Sequence, residues 1–491
     1  MNIVELPTNT GQWSLVIHKV STNSVELWAG TLFATLSMPK SARIIVRKGN
    51  DIVATEEINQ GDWQRPFTRI NQRFFVFRTV TNLPAAGQYQ VEFYRKLDLQ
   101  DQQDDWQLLS DGEFSTLPLT LPTTANKAFT VSLSSCFYNH RDGGRTANAF
   151  KSLYKRGNEQ LKPDVKFMVG DQVYLDIGLD SLSPISKEIR QRIAEDYAIH
   201  WQALGSMLSR GGAWMLPDDH EYWNDYPFYD SWLPTLLMLK IPYVRNAWRS
   251  TARDGINNVQ RCAKIDTFKL GDDLSFCIAD LRSFRSKGQF IDKEGFSQLL
   301  DWANTLATPG VLVIPQILIV EKNELERNLL SFKKQYADLL KALASTGHDI
   351  VVMSGDVHFG RIAQTTLGAS GGRLIEVVSS PMSNLTGANS IASSTAKSKP
   401  TEFPDPKAIK ISGLTPQAVS YSDEFNVSGK EGHIGSSYWK ERTREHFMTV
   451  SFHKSNAKVH MSVEAWRIRD YDDNQRLPKK DFKQAFEVEL T

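Results

Sequence analysis

Hydrophobic and polar positions alternate in short runs over the first 118 or so residues. Val25 and Leu27 are two apart in SVELWAG, Ile44 to Val46 sit in ARIIVRKGN, and RFFVFRTV fills 73–80. In GQYQVEFYRK, Tyr89, Val91 and Phe93 share one side. Period-two patterning broken by Asn, Gly and Pro turns predicts a small antiparallel β-sandwich. GEFSTLP (112–118) is predicted as its last strand, leading into the Thr/Pro-rich linker LTLPTTANKA at 119–128.

Beyond the linker, longer apolar runs alternate with helical stretches, the pattern of a buried sheet covered by helices. The predicted strands are FTVSLSSC (129–136), VKFMVGD (165–171), AWMLPDDH (213–220), LSFCIADLR (274–282), VLVIPQILIV (311–320), DIVVMSGDVH (349–358) and LIEVVSSP (374–381). Helices are predicted over 186–210 and over 323–346, where Leu325, Leu329, Phe332, Tyr336, Leu339 and Leu343 recur at helical spacing. The Ser/Ala/Pro-rich residues 386–420 read as a long surface excursion. FMTVSF (447–452) and KVHMSVEAW (458–466) read as a closing hairpin. The expectation is therefore an α/β chain of two domains, a β-sandwich over 1–120 and an α/β domain over 127–491.

Val311 to Val320, ten residues containing Pro315 and Gln316, is half the length of a membrane span and reads as a buried strand. MNIVELPTNTGQWS has neither the basic nor the apolar region of a secretory signal, so the expected location is cytoplasmic. Lys+Arg 57 against Asp+Glu 56 gives a net charge of +1, which disfavours nucleic acid or an anionic membrane as partner. Three cysteines, Cys136, Cys262 and Cys277, cannot build a disulfide framework.

The chemistry lies where the strands end. Ser135-Cys136, Asp171 with Tyr174, Asp219-His220, and Asp356 with His358 each close an apolar run. In open α/β sheets ligands bind outside the strand ends, so these side chains can converge. Gly170-Asp171 and Gly355-Asp356 repeat one device, a glycine that turns the chain and a carboxylate that projects. Asp356 and His358, two apart, would point to the same side of an extended segment and suit a borderline or hard cation. Tyr174 is either a packed ring or a phenolate ligand; Cys136 is either a small buried hydrophobe or a thiolate facing a cation. In DDHEYWND, Asn224 offers an amide oxygen and His220 a proton for a leaving group. Alternatively the segment starts a helix, Asp219 capping it and Glu221 complementing its dipole.

The ordered set SSC, GDQVY, DDHExxxN and SGDVH resembles the PhoD-like (alkaline phosphatase D) metallophosphatases of the calcineurin-like phosphoesterase superfamily. ADLRSFR (279–285), followed by Gln298 to Trp302, resembles the family's Asp-x-Arg segment before a Gln-x-x-x-Trp helix. The resemblance covers roughly residues 120–385 and extends loosely to the leading sandwich. It implies a four-layer αββα domain, two facing sheets flanked by helices, behind an immunoglobulin- or fibronectin-like sandwich. It implies a ferric ion held by Cys136, Asp171, Tyr174 and His358, and a calcium-bearing neighbour site drawing on Asn224 and Asp356, with Asp171 bridging. Asp219 and Asn224 are alternative ligands from their segment, and His220 falls where the superfamily places a phosphate-contacting histidine. VLVIPQILIV is more apolar than the family's usual segment after that strand, which changes one wall of the cleft.

Phosphoester hydrolysis suits such a site without the family name. Cations neutralise the phosphoryl oxygens and make water acidic enough to attack in line. Arg282 is a candidate for holding a phosphoryl oxygen, with a salt bridge to Asp280 or another carboxylate as the alternative; Arg361 and Arg141 are weaker candidates. The expected activity is hydrolysis of small phosphomonoesters or phosphodiesters. The rivals are hydrolysis of a non-phosphorus ester, a silent binding or scaffold protein of the same fold, and a nucleic-acid-binding protein.

Overall fold

The computed structural model describes residues 10–35, 38–97, 106–156, 162–230, 234–322, 327–368, 371–384, 399–427, 429–430, 442–474 and 476–491. Seven strands lead: β1 (Trp13–Val20), β2 (Val25–Thr31), β3 (Ser41–Lys48), β4 (Asp51–Asn59), β5 (Phe74–Val80), β6 (Gln88–Lys96) and β7 (Trp106–Ser115). They form two antiparallel sheets, ordered β1-β2-β5 and β4-β3-β6-β7. Leu15, Ile17, Leu27 and Val76 from the first meet Ile44, Val46, Val91 and Phe93 from the second in one buried cluster. The period-two spacing of these residues puts each set on one face. The strand expected at 112–118 begins at Trp106 and ends at Ser115.

Among the described residues, the rest of the chain builds two seven-stranded sheets and two small two-stranded ones. Its elements are β8 (Phe129–Ser134), α1 (Arg145–Arg156), β9 (Val165–Val169), α2 (Ser186–Leu208), β10 (Gly212–Leu216), α3 (Pro242–Gly255), β11 (Ile265–Leu270), β12 (Leu274–Ala279), α4 (Lys293–Asn304), β13 (Gly310–Val313), α5 (Lys333–Ser345), β14 (Ile350–Ser354), β15 (Arg361–Thr366) and β16 (Arg373–Val378). The first sheet runs β10-β9-β8 and continues through the hairpin His446–Ser455 and Lys458–Tyr471 to Pro478–Lys480, with Phe486–Leu490 also paired to Lys458–Tyr471. The second runs β11-β12-β13-β14-β16-β15 and ends on Ser420–Asn426.

Alternation along each strand creates the layers. Phe167 and Val169 of β9 face Val351 and Met353 of β14 in the core between the sheets. Met168 turns outward onto Ile193 and Tyr197 of α2. Ile350 and Val352 turn the other way, onto Leu339 and Leu343 of α5. The order is helix, sheet, sheet, helix, and the inter-sheet core is continuous with that of the leading sheets. Each buried Val, Leu or Phe contributes about 1.5–3 kcal/mol relative to exposure. Among the described residues, no helix is long and apolar enough to cross a membrane.

Three expectations are corrected. The run 311–320 is a strand only through Val313. Ile314 to Val320 is buried coil, made possible because Glu376 accepts the Leu318 and Ile319 amides at 2.5 and 3.0 Å and Tyr336 Oη donates to Leu318 O at 2.9 Å. Of the helix expected over 323–346, residues 323–326 lie outside the described residues; among the rest the helix starts at Lys333, after a separate turn, Leu329–Ser331, whose Asn328 side chain accepts from Leu330 N. Of the expected surface excursion, 386–398 lies outside the described residues. The remainder buries Phe403, Ile411 and Leu414 against the α5 side.

Candidate metal centre

Parallel strands align their C-terminal ends, so the loops after β8, β9, β10 and β14 meet at one edge. Cys136, Asp171, Asp356 and His358 adopt φ of 56°, 57°, 72° and 51°. Left-handed backbone at non-glycine residues costs on the order of 1–3 kcal/mol each and persists where the surroundings impose it. Here they do: Cys136 N donates to Gly170 O at 3.1 Å, Phe137 N to Asp171 O at 2.8 Å, and Gly355 N to Pro315 O at 3.1 Å. Glu221 binds two loops together, its carboxylate accepting the amides of Asp171, Gln172 and Asp218 at 2.9, 2.6 and 2.8 Å.

The glycines are needed for close approach. A Cβ on Gly170, at φ 99°, would lie 2.6 Å from Asp218 Cβ, and one on Gly355 would lie 2.3 Å from Ser135 Oγ. Gly355→Ala is expected to destabilise the protein by about 1–3 kcal/mol, the range for overpacking. A urea titration monitored by tryptophan fluorescence checks this; an unchanged midpoint would contradict it.

Three overlapping groups of ligand-type side chains result, each with its ligand atoms within 4.8 Å of one another: Cys136, Asp171 and His358; Asp171, Asp219 and His220; and Asp218, Asp219 and Asp356. Cys136 Sγ lies 3.3 Å from Asp171 Oδ2, and Tyr174 Oη is 3.1 Å from His358 Nε2 and 3.5 Å from Asp171 Oδ2. His220 Nδ1 is 2.7 Å from Asp176 Oδ1, and Asn224 N donates to the other oxygen of Asp176 at 2.6 Å. Arg282, fully buried, donates Nε to Asp218 and Nη1 to Tyr226 O, with Nη2 3.8 Å from Asp219.

Burial sets the electrostatics. It pushes the Cys136 thiol and the Tyr174 phenol well above their usual ranges, with Asp171 adding to both. Asp171 is also driven well up by burial, His220 offsetting part of the repulsion from Asp219 and Asp218. For His220 burial acts downward, but Asp176, Asp171 and Asp219 outweigh it and hold the imidazole well above its usual value. Thiol, phenol and carboxyl thus resist ionisation together unless positive charge enters among them. The donor set fits metal: sulfur, imidazole and phenol on one side suit a transition metal, and carboxylates on the other suit a hard cation.

The structure brings Cys136, Asp171, Tyr174, Asp219, His220, Asp356 and His358 together, and ties Asn224 to the same edge through its backbone. The Asp356–His358 segment is not extended as the spacing suggested. Val357 N donates to Gly355 O and His358 N to Asp356 O, so successive tight turns send the two side chains to different groups. Asp218, rather than Asp219, occupies the N-cap position of the turn Asp219–Glu221, and its amide donates to the Glu221 carboxylate. Asp280 accepts the backbone amides of Arg282 and Ser283, while the Arg282 guanidinium pairs with Asp218. Arg361 is bound to Glu376 and Ile319 O inside the second sheet. Asp218 and Asp176 join the site beyond the sequence expectation; adjacency to Asp219 and to GDQVY was the available signal. Trp223, Tyr226 and Trp248 pack in the interior, whereas Tyr229 and Tyr243 are exposed; Trp232 lies outside the described residues.

No family model and no curated protein matches the chain. Among solved structures the chain is similar to one described as the structure of PhoD, with 98% of this chain and 93% of that one covered, a TM-score of 0.60 and 15% identity. It is also similar to purple acid phosphatase PPD1 from yellow lupin (Lupinus luteus) seeds, with 96% of this chain and 73% of that one covered, a TM-score of 0.51 and 9% identity. The chain therefore has the metallophosphatase fold. The likeness to the PhoD structure is one of fold, and it runs over nearly the full length of both chains.

Proposed function

We propose that the chain is a metal-dependent phosphoesterase, hydrolysing phosphomonoesters or phosphodiesters of the alkaline phosphatase/phosphodiesterase type. The observation that carries this reading is the overlap of three ligand groups through Asp171 and Asp219, an arrangement suited to adjacent cations. Cys136, Asp171, Tyr174 and His358 would hold a ferric ion. Asp219, Asn224 and Asp356, with Asp218, would hold calcium or another divalent ion, and Asp171, which belongs to two of the ligand groups, would be available to both. The cations would supply charge neutralisation for the phosphoryl group and acidify the attacking water.

The chain's own residues do the rest. A carboxylate only accepts, so Asp176 fixes the proton of His220 on Nδ1. That leaves Nε2 to hold a proton for the leaving-group oxygen. Arg282, paired through Nε with Asp218, would act by holding that carboxylate. In this reading residues 1–120 would be an immunoglobulin-like sandwich preceding a catalytic domain over 127–491. The test is a panel of aryl phosphates, bis-aryl phosphates and carboxylic esters before and after chelation. Chelator-sensitive turnover of a phosphoester is expected; turnover confined to carboxylic esters, or unaffected by metal removal, would refute the reading.

A further inference from the structure

Gln316 lies in the buried coil that follows β13, the one segment whose apolar character set it apart in the sequence. Its side chain is buried, yet both ends of its amide are engaged. Arg285 Nη2 lies 2.6 Å from Gln316 Oε1, and Gln316 Nε2 lies 3.1 Å from Asp356 Oδ2. Guanidinium is a donor only, so the end facing Arg285 must be the carbonyl oxygen, and the NH2 must face Asp356. The amide therefore has one orientation, imposed by Arg285. Arg285 is fixed in turn: Nε donates to Leu281 O at 3.1 Å, and its guanidinium carbon sits 5.1 Å from the Phe332 ring centroid. The backbone is pinned alongside, Ile314 N to Met353 O and Gly355 N to Pro315 O, at 3.0 and 3.1 Å. The coil after β13 and the turn after β14 are thus tied together by backbone and side-chain hydrogen bonds.

We propose that Gln316 is a positioning residue of the candidate metal centre: its amide, oriented by Arg285, aims the Asp356 carboxylate toward Asp218 and Asp219. This rests on the functional reading above. A neutral amide does the work without adding charge; a carboxylate there would repel Asp356, and an aliphatic side chain would leave Asp356 Oδ2 and Arg285 Nη2 without these partners. Groups that orient a metal ligand typically account for about 10–100-fold in metal affinity.

The experiment is calorimetric titration of metal-stripped full-length protein with calcium chloride alone. It compares wild type, Gln316→Met, Asp356→Asn and the double variant, with thermal unfolding of each in chelator. Gln316→Met is expected to weaken calcium binding about 10–100-fold in the wild-type background and to add no loss in the Asp356→Asn background. Equal losses in both backgrounds would show that Gln316 acts on general packing, and no loss in either would show no role; each overturns the proposal. If Gln316→Met does not fold, Gln316→Asn retains an amide but is one methylene too short to span Arg285 and Asp356, and the same pattern is expected. Wild-type protein that takes up no calcium would instead overturn the calcium assignment on which the proposal rests, a result distinct from a failed cycle.

Discussion

Asp171→Asn is expected to abolish phosphoester turnover, by about a thousandfold or more, while the protein stays folded. Asp171 belongs to two of the three ligand groups, and its Oδ2 is 3.3 Å from Cys136 Sγ. Losing it removes charge stabilisation of several kcal/mol, and each 1.4 kcal/mol is about tenfold in rate. The stability effect has the opposite sign in metal-free protein. Burial raises the Asp171 carboxyl well above its usual range, so folded Asp171 keeps a proton that the unfolded chain has lost. Stability of metal-free wild type then falls as pH rises above the ordinary carboxylate range, until the raised folded value is reached. The asparagine variant lacks this loss, so in chelator at alkaline pH its melting temperature is expected to equal or exceed that of wild type. Wild-type kcat in the variant would remove Asp171 from the chemistry.

His220→Gln is expected to lower kcat by about 10²–10⁴-fold, the usual contribution of a positioned acid. The loss falls on substrates with poor leaving groups. An alkyl phosphate needs its departing oxygen protonated, whereas p-nitrophenolate leaves without help. Asp176→Asn tests the same group through its pKa. Because Asp176 holds the imidazole well above its usual value, its removal lets His220 lose its proton at lower pH. The alkaline limb of the kcat profile for a poor leaving group should therefore move downward. Equal losses for alkyl and nitrophenyl esters in His220→Gln would contradict a proton-donor role.

Much of this site was legible because its residues follow apolar runs. Cys136, Asp171, Asp219 and Asp356 each come within a few positions of a strand's end, where a parallel sheet gathers side chains whatever their separation in sequence. Tyr174 and His358 follow from the same runs. Partnerships set by packing between loops were not legible. Arg282 pairs with Asp218, 64 positions away, rather than with its neighbour Asp280. Gln316 looks like an interruption in an apolar run until Arg285 and Asp356 are placed on either side of it. Glu376, inside the run LIEVV, explains why Ile314 to Val320 is buried without being a strand, since it supplies acceptors that a β-ladder would otherwise provide. The turns at Asp356 and His358 depend on contacts with neighbouring strand ends and leave no local signal beyond Gly355.

Anomalous diffraction from crystals of the protein grown without added metal tests the central claim most directly. The account predicts a peak at the iron edge within bonding distance of Cys136 Sγ, Asp171, Tyr174 Oη and His358, with a second cation among Asp171, Asp219 and Asp356. Well-ordered crystals in which these side chains enclose only water or one another would contradict it.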